Sequence, residues 1–81
     1  MGLSDFEIRL IEETEELAQK TNKLNDFMRT QKFYELSRPH KDLLYEQYHA
    51  MLNYLQVLGK RLELLSIKIK IYEPDNLEKG E

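Results

Sequence analysis

The chain has 81 residues, a formal net charge of −3 and no cysteine. That length makes one domain, burying only about 60% of its unfolded surface. The composition removes disulfides, thiolate zinc sites and cysteine nucleophiles, and an acidic balance argues against general nucleic-acid binding, which draws its affinity from a basic surface. The opening MGLSDFEIRL lacks a basic stretch followed by an apolar run, so no secretory signal is expected. No apolar run approaches the ~20 residues that span a bilayer. These features predict a soluble, cytoplasmic protein with no membrane contact.

Ser4 and Glu7 make an S-x-x-E capping box, with Leu3 and Ile8 placed for a hydrophobic staple. Behind them run Leu10, Leu17, Leu24 and Met28, with Thr14 and Thr21 in the intervening seam positions. Neither glycine nor proline interrupts residues 4–38, which predicts one helix over 5–34, roughly 45 Å long at 1.5 Å per residue. The turn falls in FYELSRPH at 35–37, where Ser37 can cap the next helix and Pro39 suits its first turn.

The second helix, predicted over 38–66, carries the stripe that organises the chain. Leu44, Tyr48, Met51, Leu55, Leu58, Leu62, Leu65 and Ile69 alternate in steps of four and three, the seam of a long amphipathic helix. Beside it lies a second row, Leu43, Ala50, Tyr54, Val57 and Leu64, so the apolar face is wider than one partner helix needs. Gly59 is an interior weak point of about 1 kcal/mol relative to alanine, explained by close helix packing. Folding the chain back at Leu36 pairs Leu10 with Leu62, Leu17 with Leu55, Leu24 with Tyr48 and Met28 with Leu44, leaving Glu7 opposite Leu65 as a poor match. The acidic stretch 5–16 then faces Lys60, Arg61, Lys68 and Lys70.

Beyond the seam, Ser66 to Tyr72 alternates apolar and basic residues, a strand-like period over 67–72 on which the heptad also continues, so strand and helix both stand. The tail 73–81 is polar. The fold class is therefore all-α: an antiparallel two-helix hairpin over 1–81. Two helices alone bury too little to offset about 1.5 kcal/mol per ordered residue, so a homo-oligomer is expected.

Little in the chain carries catalysis. Glu46 and His49 form a Glu-x-x-His pattern of the kind used in di-iron bundles, but Tyr48 and Met51 hold the core face and turn this pair to the flank. The reading is no metal and no cofactor. Ser4, Ser37 and Ser66 serve helix ends, and no glycine-rich phosphate loop exists; no enzyme is expected. The tip is different. Residues 27–41 hold four bases against Glu35, and Arg29, Lys32, Tyr34, Arg38, His40 and Tyr45 combine cations with aromatic rings. Phosphate and a flat base require that pairing. The same residues also read simply as a plug, with Phe33, Tyr34 and Leu36 closing the hairpin and the bases solvating it.

From Glu12 to Leu65, the helix-1 ending LNDFMRTQKFYELS, the start KDLLYEQYHAMLNYLQVLGKRL and the spacing between them resemble a family of very small tailed-phage proteins of unassigned function, named after an open reading frame of a crAss-like phage. Arg38-Pro39-His40 and the IKIKIY extension depart from it. The resemblance implies a phage product in a bacterial cytoplasm with a hairpin fold. Phages also encode small oligomeric helical hairpins that sequester cyclic nucleotide signals of bacterial immunity; the likeness to these is one of size and architecture. Three readings follow: an anti-immune protein that holds a nucleotide second messenger uncleaved at the tip; an adaptor or inhibitor offering its apolar face to a host or phage protein; and a structural oligomer of the virion.

Overall fold

The computed structural model describes residues 2–65 as a helical hairpin. α1 spans Asp5–Phe27, the one-turn α2 spans Gln31–Tyr34, and α3 spans Arg38–Leu64. The strand-or-helix segment 67–72, the end of the second helix at Ser66 and the polar tail lie outside the described residues. Among the described residues, no helix is long and apolar enough to cross a membrane.

α1 starts where its capping box predicts. The Ser4 N–H donates to Glu7 Oε1 at 2.9 Å and the Glu7 N–H donates to Ser4 Oγ at 3.2 Å, satisfying two of the N–H groups that a helix start leaves orphaned. Asp5 and Glu7 in the first turn add a favourable charge at the positive end of the helix dipole. α3 starts at an extended Ser37, whose Oγ accepts from the His40 N–H at 3.4 Å, with Pro39 in the first turn.

The single helix expected over 5–34 is divided. α1 ends at Phe27, and the chain turns through Met28, Arg29 and Thr30 before α2. Thr30 makes the break. Its backbone is extended (φ −96°, ψ 161°), its hydroxyl donates to the Phe27 carbonyl at 2.6 Å, and the same oxygen accepts from the Phe33 N–H at 3.3 Å. One side chain thus closes α1 and opens α2. The turn also brings Phe33 inward, to 1% exposure.

The core runs along the α1–α3 seam. Leu10, Leu58 and Leu62 form its buried cluster, with Ile11, Leu17 and Leu65 packed against it. Each described member of the Leu44–Leu65 stripe is buried or half-buried, and Gly59 is buried as well. Thr14 and Thr21 are buried without loss, because their hydroxyls donate to the carbonyls one turn back, Leu10 at 2.8 Å and Leu17 at 2.7 Å. The expected Leu10–Leu62 pairing is retained within the cluster. On the flank the register differs from a pivot at Leu36. Glu13 meets Tyr54 rather than Gly59, and the Arg61 guanidinium lies over the Phe6 ring, where Ser66 was expected. Both contacts are made by long side chains that reach about a turn toward the tip, while Leu10 between them stays clustered with Leu62.

Candidate functional site

The tip is built around Phe33. Three rings meet it edge-on: Phe27 from α1 at 6.1 Å between centroids, Tyr34 from α2 at 5.4 Å and Tyr45 from α3 at 5.5 Å. Such T-shaped contacts match the positive ring edge to the negative ring face. Phe33 is enclosed, whereas Tyr34 is 59% and Tyr45 46% exposed. A buried ring therefore holds two half-exposed tyrosines, one from each helix flanking the final turn. The plug and the aromatic surface are the same structure.

The cations surround this cluster. Arg29 is exposed on the turn between α1 and α2, and Lys32 is exposed on α2. Arg38 and His40 are exposed in the first turn of α3. Arg38 Nε lies 3.6 Å from Asp42 Oδ1, an (i, i+4) pair with both side chains largely in solvent, where such a contact holds weakly and leaves the guanidinium open to a ligand. Tyr34 and Tyr45 are brought together through Phe33. Arg29, Lys32, Arg38 and His40 share the hairpin end without a contact linking them to those rings.

Two contributors lie outside the sequence-derived set. Phe33 orients both tyrosines. Lys41, half-buried, donates from Nζ to the Tyr34 carbonyl at 3.4 Å and ties α3 to the end of α2. The Tyr34–Lys41 spacing of seven carries no helical meaning across the Ser37 boundary, so only the folded turn reveals it.

Elsewhere, Glu46 and His49 are both exposed, with His49 edge-on to Tyr48 at 5.6 Å. No group of three or more potential metal ligands occurs among the described residues. At the open end of the hairpin, Phe6, Leu10, Arg61, Leu64 and Leu65 line an open, apolar-walled cavity of about 180 Å³.

Residues 4–64 match the model of the Sequestin family. The match takes in both long helices, the Thr30 break and the whole tip. No curated protein and no solved structure matches the chain.

Proposed function

The chain belongs to the Sequestin family, and on that premise we propose that it acts by sequestration, binding a cyclic nucleotide-type second messenger at the hairpin tip and holding it uncleaved. The family name supports the sequestering part of this reading. The observation that carries the site is the pair Tyr34 and Tyr45, each about half-exposed and held edge-on by a buried Phe33. A base stacks on such a ring for about 1–3 kcal/mol. Arg29, Lys32, Arg38 and His40 supply donors for the phosphates, and guanidinium groups do so in bidentate fashion.

Retention without cleavage is supported by how two nearby hydroxyls are used. Thr30 and Ser37 cap α2 and α3, so they serve the backbone rather than a substrate. The setting implied by the phage resemblance is an anti-immune one, in which removing a signal suffices and turnover is unnecessary. The working form is a homo-oligomer. A second reading, an adaptor for a host or phage protein, is favoured by one observation, the exposed row Leu43, Ala50, Tyr54, Val57 and Leu64 on α3.

A thermal-shift screen of the full chain against cyclic di- and trinucleotides and cyclic ADP-ribose isomers tests the proposal. Stabilisation by a member of these classes, with the ligand recovered intact after denaturation, is the expected result. A flat screen or recovery of cleaved product contradicts it.

A further inference from the structure

The seam of α3 is covered by α1, but its second apolar row, Leu43, Ala50, Tyr54, Val57 and Leu64, stays exposed, with Tyr54 reaching α1 through its hydroxyl on Glu13. The spacing of the row suits a second copy of itself. Its spacing reads alike in both directions, since Ala50 and Val57 flank Tyr54 at nearly equal distance and Leu43 and Leu64 flank it again one heptad further out. A twofold axis beside Tyr54 therefore maps the row onto itself. Leu43 then lies on Leu64 of the second copy, Ala50 on its Val57, and the two Tyr54 rings meet near the axis.

Charge follows the same symmetry. Glu46 and Arg61 are exposed residues on this face of α3, equally far from the axis, so each Glu46 meets the other copy's Arg61, whose guanidinium otherwise rests over its own Phe6. The antiparallel arrangement also sets the basic tip of one hairpin beside the acidic start of α1 in the other, where Asp5, Glu7, Glu12 and Glu13 lie.

We infer that the second row is a homodimer interface in which α3 packs antiparallel on α3 of a second copy. An isologous contact of this kind closes on itself and covers the row on both copies. The seam buries α3 on one side and the interface on the other, giving a hairpin with a small core the additional burial it needs. The two tips point to opposite ends of the dimer, with the two α3 starts about 45 Å apart along the helices, so each tip works as a separate site.

The absence of cysteine makes crosslinking a clean test. Light scattering of the full chain at tens of micromolar is expected to give a dimer mass or an even multiple of it. Under oxidation, Tyr54→Cys and, separately, Asn53→Cys are expected to form a covalent dimer. Leu43→Cys should crosslink only when mixed with Leu64→Cys. Glu46→Arg is expected to weaken the dimer about tenfold, with Arg61→Glu in the same chain restoring it. Circular dichroism confirms that each variant is folded. A monomer mass overturns the inference. Self-crosslinking of Leu43→Cys that matches or exceeds that of Tyr54→Cys overturns it too, because that indicates a parallel pair. Failure of Arg61→Glu to restore Glu46→Arg overturns the register.

Discussion

The two ends of the hairpin use similar residues in different ways. At the tip, Phe33 is enclosed by Phe27, Tyr34 and Tyr45, and the cations stand around the cluster. At the open end, Phe6 is 56% exposed beneath a single guanidinium, Arg61, 5.9 Å from its ring centre. Both ends put a cation near an aromatic ring. Only the tip fixes its rings against a buried neighbour, and rings fixed in advance cost less ordering entropy when a ligand stacks on them. The comparison shows that a similar composition at the two ends is packed in different ways.

The largest expected difference between the ends is in stability. Phe33→Ala is expected to cost about 3–5 kcal/mol, the range for a large buried aromatic, whereas Phe6→Ala is expected to cost about 1 kcal/mol. Since 1 kcal/mol moves the melting temperature by about 4–8 °C in a domain this small, Phe33→Ala lowers Tm by more than about 12 °C. Equal losses at the two ends break the comparison.

A smaller effect separates the caps. Thr30→Ala removes a hydroxyl serving two helices, and Ser4→Ala removes one serving a single helix start. Each is expected to cost about 0.5–2 kcal/mol, with Thr30→Ala the larger in chemical denaturation. Thr30→Ala also releases Phe33 from its turn, so near-ultraviolet circular dichroism of the tyrosines is expected to weaken in that variant alone.

The smallest effect concerns Asp42. Because its pair with Arg38 is solvent-exposed, Asp42→Asn is expected to change stability by less than about 0.5 kcal/mol. Freeing the guanidinium from its acidic neighbour is expected to tighten anion binding a fewfold, read as a lower Kd in a titration. Weaker binding in Asp42→Asn places Arg38 outside the site.

Much of the fold is written locally and is readable as such. Ser4 with Glu7, Ser37 with Pro39, and the Leu44–Leu65 stripe each announce an element that the structure contains. The break at Thr30 is harder to read because threonine is ambiguous. Thr14 and Thr21 stay helical by donating to the carbonyl one turn back, while Thr30 leaves the helix and caps the next. What distinguishes them is the burial gained by turning Phe33 inward, a tertiary effect invisible to a pattern along one helix. The tip's aromatic and basic content is likewise plain in the residues 27–45, whereas the support of Tyr34 and Tyr45 by Phe33 and the Lys41 contact need the reversed chain.

The tip, and not the open end, is the proposed ligand site. Calorimetry with the best-stabilising cyclic nucleotide from the screen tests it on the full chain and on Arg38→Ala, Arg29→Ala and Arg61→Ala. A charge-assisted hydrogen bond contributes about 1.5–3 kcal/mol, so each tip variant is expected to bind roughly 10- to 150-fold more weakly with its helical content intact, while Arg61→Ala keeps the wild-type affinity. Loss of binding in Arg61→Ala with the tip variants unaffected contradicts the account.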